Sequence, residues 1–306
     1  MQDEPLVSIL LPSYNHEKYV EEAITSLLNQ TYKNIELIGV DDFSTDSTFE
    51  LIRKLASSDS RIKCYRNEKN LGISNTMNRA IALACGTYVM TASSDDVWEA
   101  YTVQTLVNEA FEQKNSCTIV WGDGIVVDSS GKILHNSFLE FHWSIRRKKN
   151  GDLFNELLKG NYIFGQVRMV PACIMKEIKY DPNIRYLNDY LVNLFLANRC
   201  TFKFVPDKKL ARYRIHGENS ILRDRLGWRL DSIKVKKIIL FEFRSRLTLS
   251  YKIYLNITLW YLFWYYVAKV KDKRFFISDH GNSEFFKLFS DVLKSSFLSI
   301  FFRRQG

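Results

Sequence analysis

Short apolar runs alternate with amphipathic segments through residues 6–92, and this alternation limits the possible folds more than any other feature. The apolar runs have the length of buried strands, at 6–11, 35–40, 61–65 and 87–92. The segments between them have apolar side chains at helical spacing, at 17–30, 46–57 and 73–84. Strands joined by helices through short connections pair in parallel. The pattern therefore predicts an α/β fold with a doubly wound, mainly parallel sheet and flanking helices.

Two pairs of adjacent aspartates follow two of the predicted strands. Asp41-Asp42 comes after the second strand and Asp95-Asp96 after the fourth. Ligands of such sheets bind at the carboxyl ends of the strands, where paired carboxylates suit Mg²⁺ or Mn²⁺. Each pair by itself also fits solvated turn residues or the N-cap of the next helix. The pairs are therefore candidate ligand-binding residues.

The pattern changes after residue 97, where helices and short strands no longer alternate regularly. We predict helices at 98–113 and 189–199 and strands at 117–121, 125–128, 132–135, 201–205 and 210–215. The sequence Ser129-Ser130-Gly131 is typical of a hairpin turn. Residues 141–165 read as an irregular, basic segment.

Basic residues are concentrated in the last third of the chain. Residues 1–200 contain 21 Lys and Arg against 25 Asp and Glu, whereas residues 201–306 contain 22 against 9. This asymmetry favours an anionic partner, either nucleic acid, a phospholipid surface or a lipid-linked phosphate.

Two apolar stretches lie in this basic tail. Residues 253–268 are too short and too rich in tyrosine for a membrane span, which needs about 20 apolar residues. Residues 285–302 have an aromatic face with flanking lysines, typical of a helix in the plane of a membrane interface. We therefore predict an anionic membrane surface as a partner and no nucleic acid. The alternative is packing on the rest of the chain or on a second subunit of a homo-oligomer.

The chain has five cysteines, and no two of them have a CxxC spacing. The odd count favours reduced thiols in the cytoplasm over a disulfide framework or a zinc site. Residues 1–6 are acidic and polar, the wrong polarity for the start of a signal peptide, so no signal peptide is expected.

Three stretches of the sequence belong together by their order and spacing. They read VSILLPSYNHEKYVEEAITSLLNQTYKNIELIGVDDFSTDST, NLGISNTMNRAIALACGTYV and SSDD. In this combination the chain resembles the family 2 glycosyltransferases over about residues 5–220. The resemblance implies the nucleotide-sugar-binding GT-A fold. It also implies transfer of a sugar from a nucleoside-diphosphate donor, commonly UDP-linked, with inversion at the anomeric carbon.

The resemblance implies a role for each matching position. Contacts with the nucleotide sugar are implied for Pro12, Tyr14, Asp42, Asp95, Arg214, His216 and Ser220. Asp96 matches the metal ligand, with Mn²⁺ or Mg²⁺ as the cofactor, and Asp189 matches the catalytic base. An inverting transfer needs one carboxylate to take the acceptor's proton while the nucleotide leaves on the opposite face.

Three of these residues keep alternative roles. Tyr14 taken singly fits a packing residue better than a base-stacking one, and Asp189 without its motif fits an exposed helix acid. His216 also fits a metal ligand or a structural histidine.

The sequence departs from the family pattern at three positions. Ser93 and Asn188 stand where many relatives have acids, and Met77 stands where an arginine is common. The acidic residues Asp95, Asp96 and Asp189 are nevertheless kept, so the expected metal site and base remain.

These observations predict a hexosyl- or N-acetylhexosaminyltransferase acting on a lipid-linked saccharide in O-antigen, capsule or similar surface-polysaccharide synthesis. We expect it to be cytoplasmic and peripheral on the inner face of a bacterial inner membrane. The alternatives are a non-catalytic nucleotide-sugar-binding membrane adaptor and a nucleotidyltransferase. The loop PSYNHEK has no glycine to cradle phosphates, which argues against a nucleotidyltransferase.

The expected domain organisation follows from the extent of the resemblance and from the different composition of the tail. Residues 1–220 are predicted to form the GT-A domain, with a nucleotide-binding half at 1–97 and an acceptor-side half at 98–220. The basic segment at 141–165 is a candidate acceptor-side loop. Residues 221–306 are predicted to form a basic, aromatic, helical tail that associates with a membrane.

Overall fold

The computed structural model describes residues 4–113, 117–142, 149–217 and 225–271. The chain divides into two compact units, Met1–Arg223 and Asp224–Gly306. Ser220, residues 143–148 of the basic segment and the predicted amphipathic helix at 285–302 lie outside the described residues.

The first part of unit one alternates strands and helices, close to the predicted positions. In chain order the elements are β1 (Val7–Ser13), α1 (Val20–Leu28), β2 (Ile35–Asp41), α2 (Thr48–Ser58), β3 (Ile62–Arg66), α3 (Ile73–Leu83) and β4 (Tyr88–Thr91). The four strands pair in parallel in the order β3–β2–β1–β4. Every residue of β1 and β2 is buried, which explains why these strands read as continuous apolar runs rather than as alternating ones.

The rest of unit one adds five strands of mixed direction. The elements are β5 (Val97–Trp98), α4 (Thr102–Phe111), β6 (Thr118–Asp128), β7 (Ile133–His135), α5 (Phe138–His142), α6 (Phe154–Leu157), a 3-10 helix (Gly165–Val167), β8 (Arg168–Pro171), α7 (Ala172–Glu177), α8 (Asn188–Ala197) and β9 (Thr201–Ile215). The full order is β3–β2–β1–β4–β8–β6–β9–β5, with β7 beside β6.

The sheet is mixed rather than mainly parallel, which corrects the sequence-based prediction. Strand β8 lies between β4 and β6 and runs antiparallel to both. Its four residues are too few to show a period of their own, so the sequence did not mark this central strand. Strand β5 is also antiparallel to its neighbour, β9, with which it pairs over two residues. Helix α4 begins after β5, at Thr102, rather than at the predicted residue 98.

Two predicted strand pairs are single long strands. Strand β6 continues through Gly122 and Gly124, where its register with β9 shifts. Strand β9 continues through Pro206 and Asp207, and Asp207 has φ 57°. A bulge lets a strand continue past glycine, proline or aspartate, so these residues do not end β6 or β9.

The expectation that the cysteines are all unpaired is wrong for two of them. Cys117 and Cys200 form a disulfide, while Cys64, Cys85 and Cys173 are free. The cause is the parallel pairing of β6 with β9, which aligns Thr118 with Thr201 and so places the two preceding residues side by side. A separation of 83 residues hides this proximity in the sequence.

The described part of unit two consists of two helices, α9 (Arg225–Glu242) and α10 (Leu249–Lys271), which pack against each other. Leu255 and Leu259 are buried on α10, whereas Ile253, Ile257 and Tyr261 are more than half exposed. A helical stripe of α10 is therefore apolar and exposed. Within the described residues, no helix combines the length and the apolar character needed to cross a bilayer.

Candidate active site

The carboxyl ends of β1, β2 and β4 lie side by side, and each is followed by a loop with polar residues. Tyr14 follows β1 and is 43% exposed, whereas Pro12 is buried inside β1. Asn15 has φ 53°, and its side chain accepts a hydrogen bond from the N–H of Thr45, in the loop after β2. The first two loops are thus joined, and the ring of Tyr14 stays accessible.

A cluster of two histidines and one aspartate forms where the loop after β4 meets the end of β9. Nε2 of His216 lies 3.0 Å from Oδ2 of Asp95, and Nε2 of His16 lies 3.9 Å from the same oxygen. Nδ1 of His16 also lies 2.7 Å from Oγ of Ser94. One atom of each of the three residues lies within 4.8 Å of the others.

The Asp95 carboxylate is buried, with 8% of the residue exposed. Burial alone would raise the pKa of Asp95, but the hydrogen bond with His216, the charge of His16 and the hydrogen bond from Ser93 lower it below the usual value. Asp95 is therefore held as an anion between two imidazoles.

Asp96 is in a different environment from its neighbour. It is 1% exposed, and burial together with the negative charge of Asp95 raises the pKa of Asp96 well above its usual value. Its Oδ1 accepts a hydrogen bond from the backbone N–H of Arg214 at 2.8 Å. Its Oδ2 is a buried oxygen without a hydrogen-bond partner in the described part of the chain.

Arg214 fixes the loop that contains both aspartates. Its Nε donates to the carbonyl of Asp95 at 2.9 Å, and its Nη2 forms an ion pair with Glu22 of α1 at 2.7 Å. The guanidinium also lies over the ring of Tyr19, with 5.1 Å from Cζ to the ring centroid. Arg214 is 4% exposed, so these contacts hold its guanidinium among protein groups.

Both carboxylate oxygens of Asp42 also accept hydrogen bonds from protein groups. It accepts hydrogen bonds from the backbone N–H of Leu71 and of Gly72, both at 2.8 Å, and from Nδ2 of Asn67 at 2.8 Å. Gly72, with φ 80°, takes a conformation that favours glycine and begins the turn into α3. Asp42 therefore holds the NLG segment against the end of β2.

Asp189 lies in the first turn of α8 and is exposed. A Cβ placed on Gly165 would lie 3.1 Å from its Oδ2, so the carboxylate lies close to the bare backbone of Gly165. The carbonyl of Gly165 in turn accepts a hydrogen bond from Oγ1 of Thr91, the last residue of β4. This chain of contacts ties Asp189 to the strand that leads into the aspartate loop.

The structure thus brings together Asp95, Asp96, Arg214 and His216, four of the residues singled out in the sequence. Tyr14 follows β1, which pairs with β4, and Asp42 follows β2, the next strand beyond β1 in the sheet order. His16 was missed by sequence reasoning. The available signal was its place in the same loop as Tyr14, at a strand end where polar side chains converge.

The donor set of the cluster fits a divalent transition metal. Two imidazole nitrogens and a carboxylate suit Mn²⁺ better than Mg²⁺, which prefers an all-oxygen shell. The cluster contains Asp95 rather than Asp96, so the geometry favours Asp95 as the ligand. Oδ2 of Asp96, in the same loop, is buried and has no hydrogen-bond partner among the described residues.

Comparison with known proteins identifies the family of this chain. The model of Glycosyl transferase family 2 matches residues 8–169, more than half of the chain. The chain therefore belongs to glycosyl transferase family 2.

Two relatives and one solved structure illustrate the similarity. A Haemophilus influenzae uncharacterized glycosyltransferase is 42% identical over 186 residues, which cover 61% of this chain and 69% of the relative. The Escherichia coli UDP-Glc:alpha-D-GlcNAc-diphosphoundecaprenol beta-1,3-glucosyltransferase WfgD is 34% identical over 147 residues, covering 45% of this chain and 56% of WfgD. S. aureus TarS 1–349 in complex with UDP-GlcNAc has a TM-score of 0.63 at 19% identity, covering 83% of this chain and 70% of TarS. That likeness shows the GT-A fold alone.

Proposed function

We propose that this chain is an inverting glycosyltransferase that transfers a hexosyl or N-acetylhexosaminyl group from a UDP-sugar to a hydroxyl of a lipid-linked saccharide. The proposed process is surface-polysaccharide synthesis at the inner face of a bacterial inner membrane. The observation that carries the proposal is the His16–Asp95–His216 cluster at the strand ends, with the exposed carboxylate of Asp189 tied to the same strand through Gly165.

In this proposal the donor occupies the strand ends. The exposed ring of Tyr14 stacks on the base, and Asp42 and Pro12 shape the pocket around it. His16, Asp95 and His216 would hold Mn²⁺, which supplies positive charge against the departing diphosphate. Ser220 keeps its sequence-based role as a donor contact.

Asp189 is the proposed general base. It is the exposed acid in the first turn of α8, where an acceptor hydroxyl can reach it from solvent. The carboxylate takes the proton of that hydroxyl while the oxygen attacks the anomeric carbon from the face opposite the UDP group. Arg214 holds the aspartate loop in place during this step, since its contacts are internal.

The names of similar proteins support the substrate classes. WfgD is named as using UDP-Glc and a diphosphoundecaprenol-linked sugar, and TarS has been solved with UDP-GlcNAc. The exposed apolar stripe of α10 and the basic tail support a membrane surface as the place where such an acceptor is met.

The test is a panel of UDP-, GDP- and dTDP-sugars, scored for Mn²⁺-dependent thermal stabilisation and for nucleotide release. We expect a UDP-sugar to stabilise the protein and to be turned over, with less turnover in Mg²⁺. Asp189→Asn should lower turnover by roughly 10²- to 10⁴-fold and leave the thermal shift nearly unchanged. Asp207→Asn, the same chemical change at an exposed position, is the matched control.

The outcomes separate the alternatives. A wild-type protein that is stabilised by a UDP-sugar but never turns it over, with any acceptor or with water, is a nucleotide-sugar-binding adaptor. Equal turnover by Asp189→Asn and wild type would contradict the assignment of the base.

A further inference from the structure

Phe43, the residue after Asp42, has an unfavourable backbone conformation. Its φ is 64°, in the left-handed region that bulky side chains rarely adopt. Among the described residues, the other positive φ values outside glycine belong to Asn15 and Asp207, whose short polar side chains tolerate this region better. Phe43 has no such side chain, so its conformation costs stability that another interaction has to offset.

The backbone on both sides of Phe43 is fixed, while its side chain faces outward. Asp42 and Ser44 are 4% and 3% exposed, whereas Phe43 is 44% exposed. The N–H of Asp42 donates to the carbonyl of Ser13 at 2.8 Å, and the N–H of Ser44 donates to Oδ2 of Asp41 at 3.0 Å. A ring open to solvent gains less from packing than a core ring does, so core packing does not explain the conformation.

Arg66, the last residue of β3, holds the ring of Phe43 in place. Its Cζ lies 5.3 Å from the centroid of that ring, a cation–π contact. Its Nη2 donates to the carbonyl of Ser44 at 2.8 Å, and its Nε lies 3.2 Å from Oδ2 of Asp41. The same guanidinium lies 4.7 Å from the ring of Phe49, so it has an aromatic neighbour even without Phe43.

Phe43 lies at the same edge of the sheet as Tyr14. Strands β1 and β2 pair in parallel up to their last residues, and Tyr14 and Phe43 follow them. The two loops are joined, since the N–H of Asn15 donates to Oγ of Ser44 at 3.0 Å. Tyr14 and Phe43 are 43% and 44% exposed, so both rings are accessible. Aromatic faces of this kind bind a flat heterocycle such as a nucleobase.

We propose that Phe43 is a further donor-binding residue, whose ring contacts the uracil base of the UDP-sugar beside Tyr14. This role rests on the proposed function, since it assumes a UDP-sugar donor. The strained backbone of Phe43 is kept because it presents the ring to the base, and strain of this kind clusters at ligand-binding sites. The ring contacts the base and not the diphosphate, so its loss should weaken binding of UDP but not of pyrophosphate.

The first experiment measures the Kd of Phe43→Leu in the full chain for UDP and for inorganic pyrophosphate, both with Mn²⁺, by calorimetry. Leucine keeps an apolar side chain in the same backbone conformation but has no aromatic face. We expect the Kd for UDP to rise about tenfold and the Kd for pyrophosphate to stay unchanged. Phe43→Tyr restores an aromatic ring and should bind UDP like the wild type.

Phe43→Gly separates the ligand contact from folding. Glycine adopts a φ of 64° without strain, so the melting temperature without ligand should equal or exceed that of the wild type. The Kd for UDP should nevertheless rise about tenfold. Asp207→Gly is the matched control, because Asp207 is an exposed residue of β9 with φ 57°. It should keep its melting temperature and the wild-type Kd for UDP.

An unchanged Kd for UDP in Phe43→Leu, or in Phe43→Gly where Phe43→Leu does not fold, would overturn the role of Phe43. Equal weakening of UDP and pyrophosphate would also overturn it, because a distorted loop rather than a lost base contact would then be the cause. In both cases a wild type that binds UDP leaves the proposed donor class standing. A wild type that does not bind UDP would overturn the donor class and the role of Phe43 together.

Discussion

Three side chains from three distant parts of the chain, His16, Asp95 and His216, meet at the ends of the parallel strands. Single residues decide the chemistry here, because Asp95 and Asp96 are adjacent in sequence yet have opposite shifts in pKa. The two imidazoles beside Asp95 favour its anion, whereas burial and the negative charge of Asp95 disfavour the anion of Asp96. The protonation state of each aspartate therefore depends more on its immediate neighbours than on its position in the fold.

The first residue-scale prediction concerns His16. His16→Ala should weaken the apparent affinity for Mn²⁺, measured by metal titration of turnover or of thermal stabilisation, by tenfold or more. One of three donor atoms is lost, while Asp95 and His216 remain. His135→Ala, whose ring contacts Ser137 instead, is the control and should leave the titration unchanged. An unaltered Mn²⁺ dependence in His16→Ala would exclude it as a ligand.

The second concerns Glu36, a buried acid of β2. It accepts hydrogen bonds from Ser8 at 2.5 Å, Lys63 at 2.5 Å and the N–H of Cys85 at 2.7 Å. Burial would raise the pKa of Glu36, but these contacts together lower it from the ordinary value of 4.5. A lowered pKa in the folded state means that ionised Glu36 stabilises the fold above pH 4.5 and that this contribution is lost as the pH falls.

Glu36→Gln should therefore lower the free energy of unfolding by about 1–3 kcal/mol at pH 7. Chemical denaturation across pH is the measurement, and the difference from the wild type should shrink below pH 4.5. Glu112→Gln changes an exposed acid in the same way and should have little effect. A pH-independent difference would show that the ionised form is not the source of the stability.

At the scale of elements, close packing of β6 on β9 shapes the second half of the sheet. Gly124 lies where the register of the two strands shifts, and a Cβ there would lie 2.5 Å from the carbonyl oxygen of Ala211 and 2.7 Å from the ring of Phe164. The nearest of these atoms is backbone and cannot swing away. The bulge therefore depends on glycine for space rather than for an unusual φ.

Gly124→Ala should destabilise the protein by about 1–3 kcal/mol through overpacking. The melting temperature measures this, and Gly217→Ala is the control because a Cβ on Gly217 would meet no atom of the described residues within 4 Å. Equal melting temperatures for the two variants would show that β9 can move aside.

The helices and strands of the sheet differ in how well they could be predicted from sequence. Elements of the parallel half were found within a few residues, because each carries its own periodic apolar pattern, as in Val7–Ser13 and Ile73–Leu83. Strand β8 was missed because its place depends on pairing with β4 and β6 rather than on its own four residues. Likewise, Asp95 and Asp96 are candidate site residues from the sequence, but their different environments depend on His16 and Arg214, which come from elsewhere in the chain.

At the scale of the whole molecule, charge and exposed apolar surface are unevenly distributed. Residues 201–306 contain 22 Lys and Arg against 9 Asp and Glu, and α10 has exposed apolar residues at helical spacing, among them Ile253 and Ile257. We predict that the full chain sediments with liposomes that contain anionic lipid, since apolar burial and charge attraction act together at an interface.

Replacing Ile253 and Ile257 together by Asp should reduce that sedimentation several-fold, because two exposed apolar side chains that would enter the membrane interface become charges. Leu134→Asp, at a position 50% exposed in unit one, is the control and should sediment like the wild type. Equal retention of all three proteins would contradict the membrane role of α10.

The sequence by itself determined the parallel α/β half, the family and the identity of the acidic residues, because these depend on local periodicity and on short motifs. The tertiary structure alone decided the mixed sheet, the Cys117–Cys200 disulfide and the entry of His16 into the candidate metal-binding cluster. Each of these is a contact between residues far apart in the chain, and such contacts follow from strand pairing and packing that no local pattern encodes.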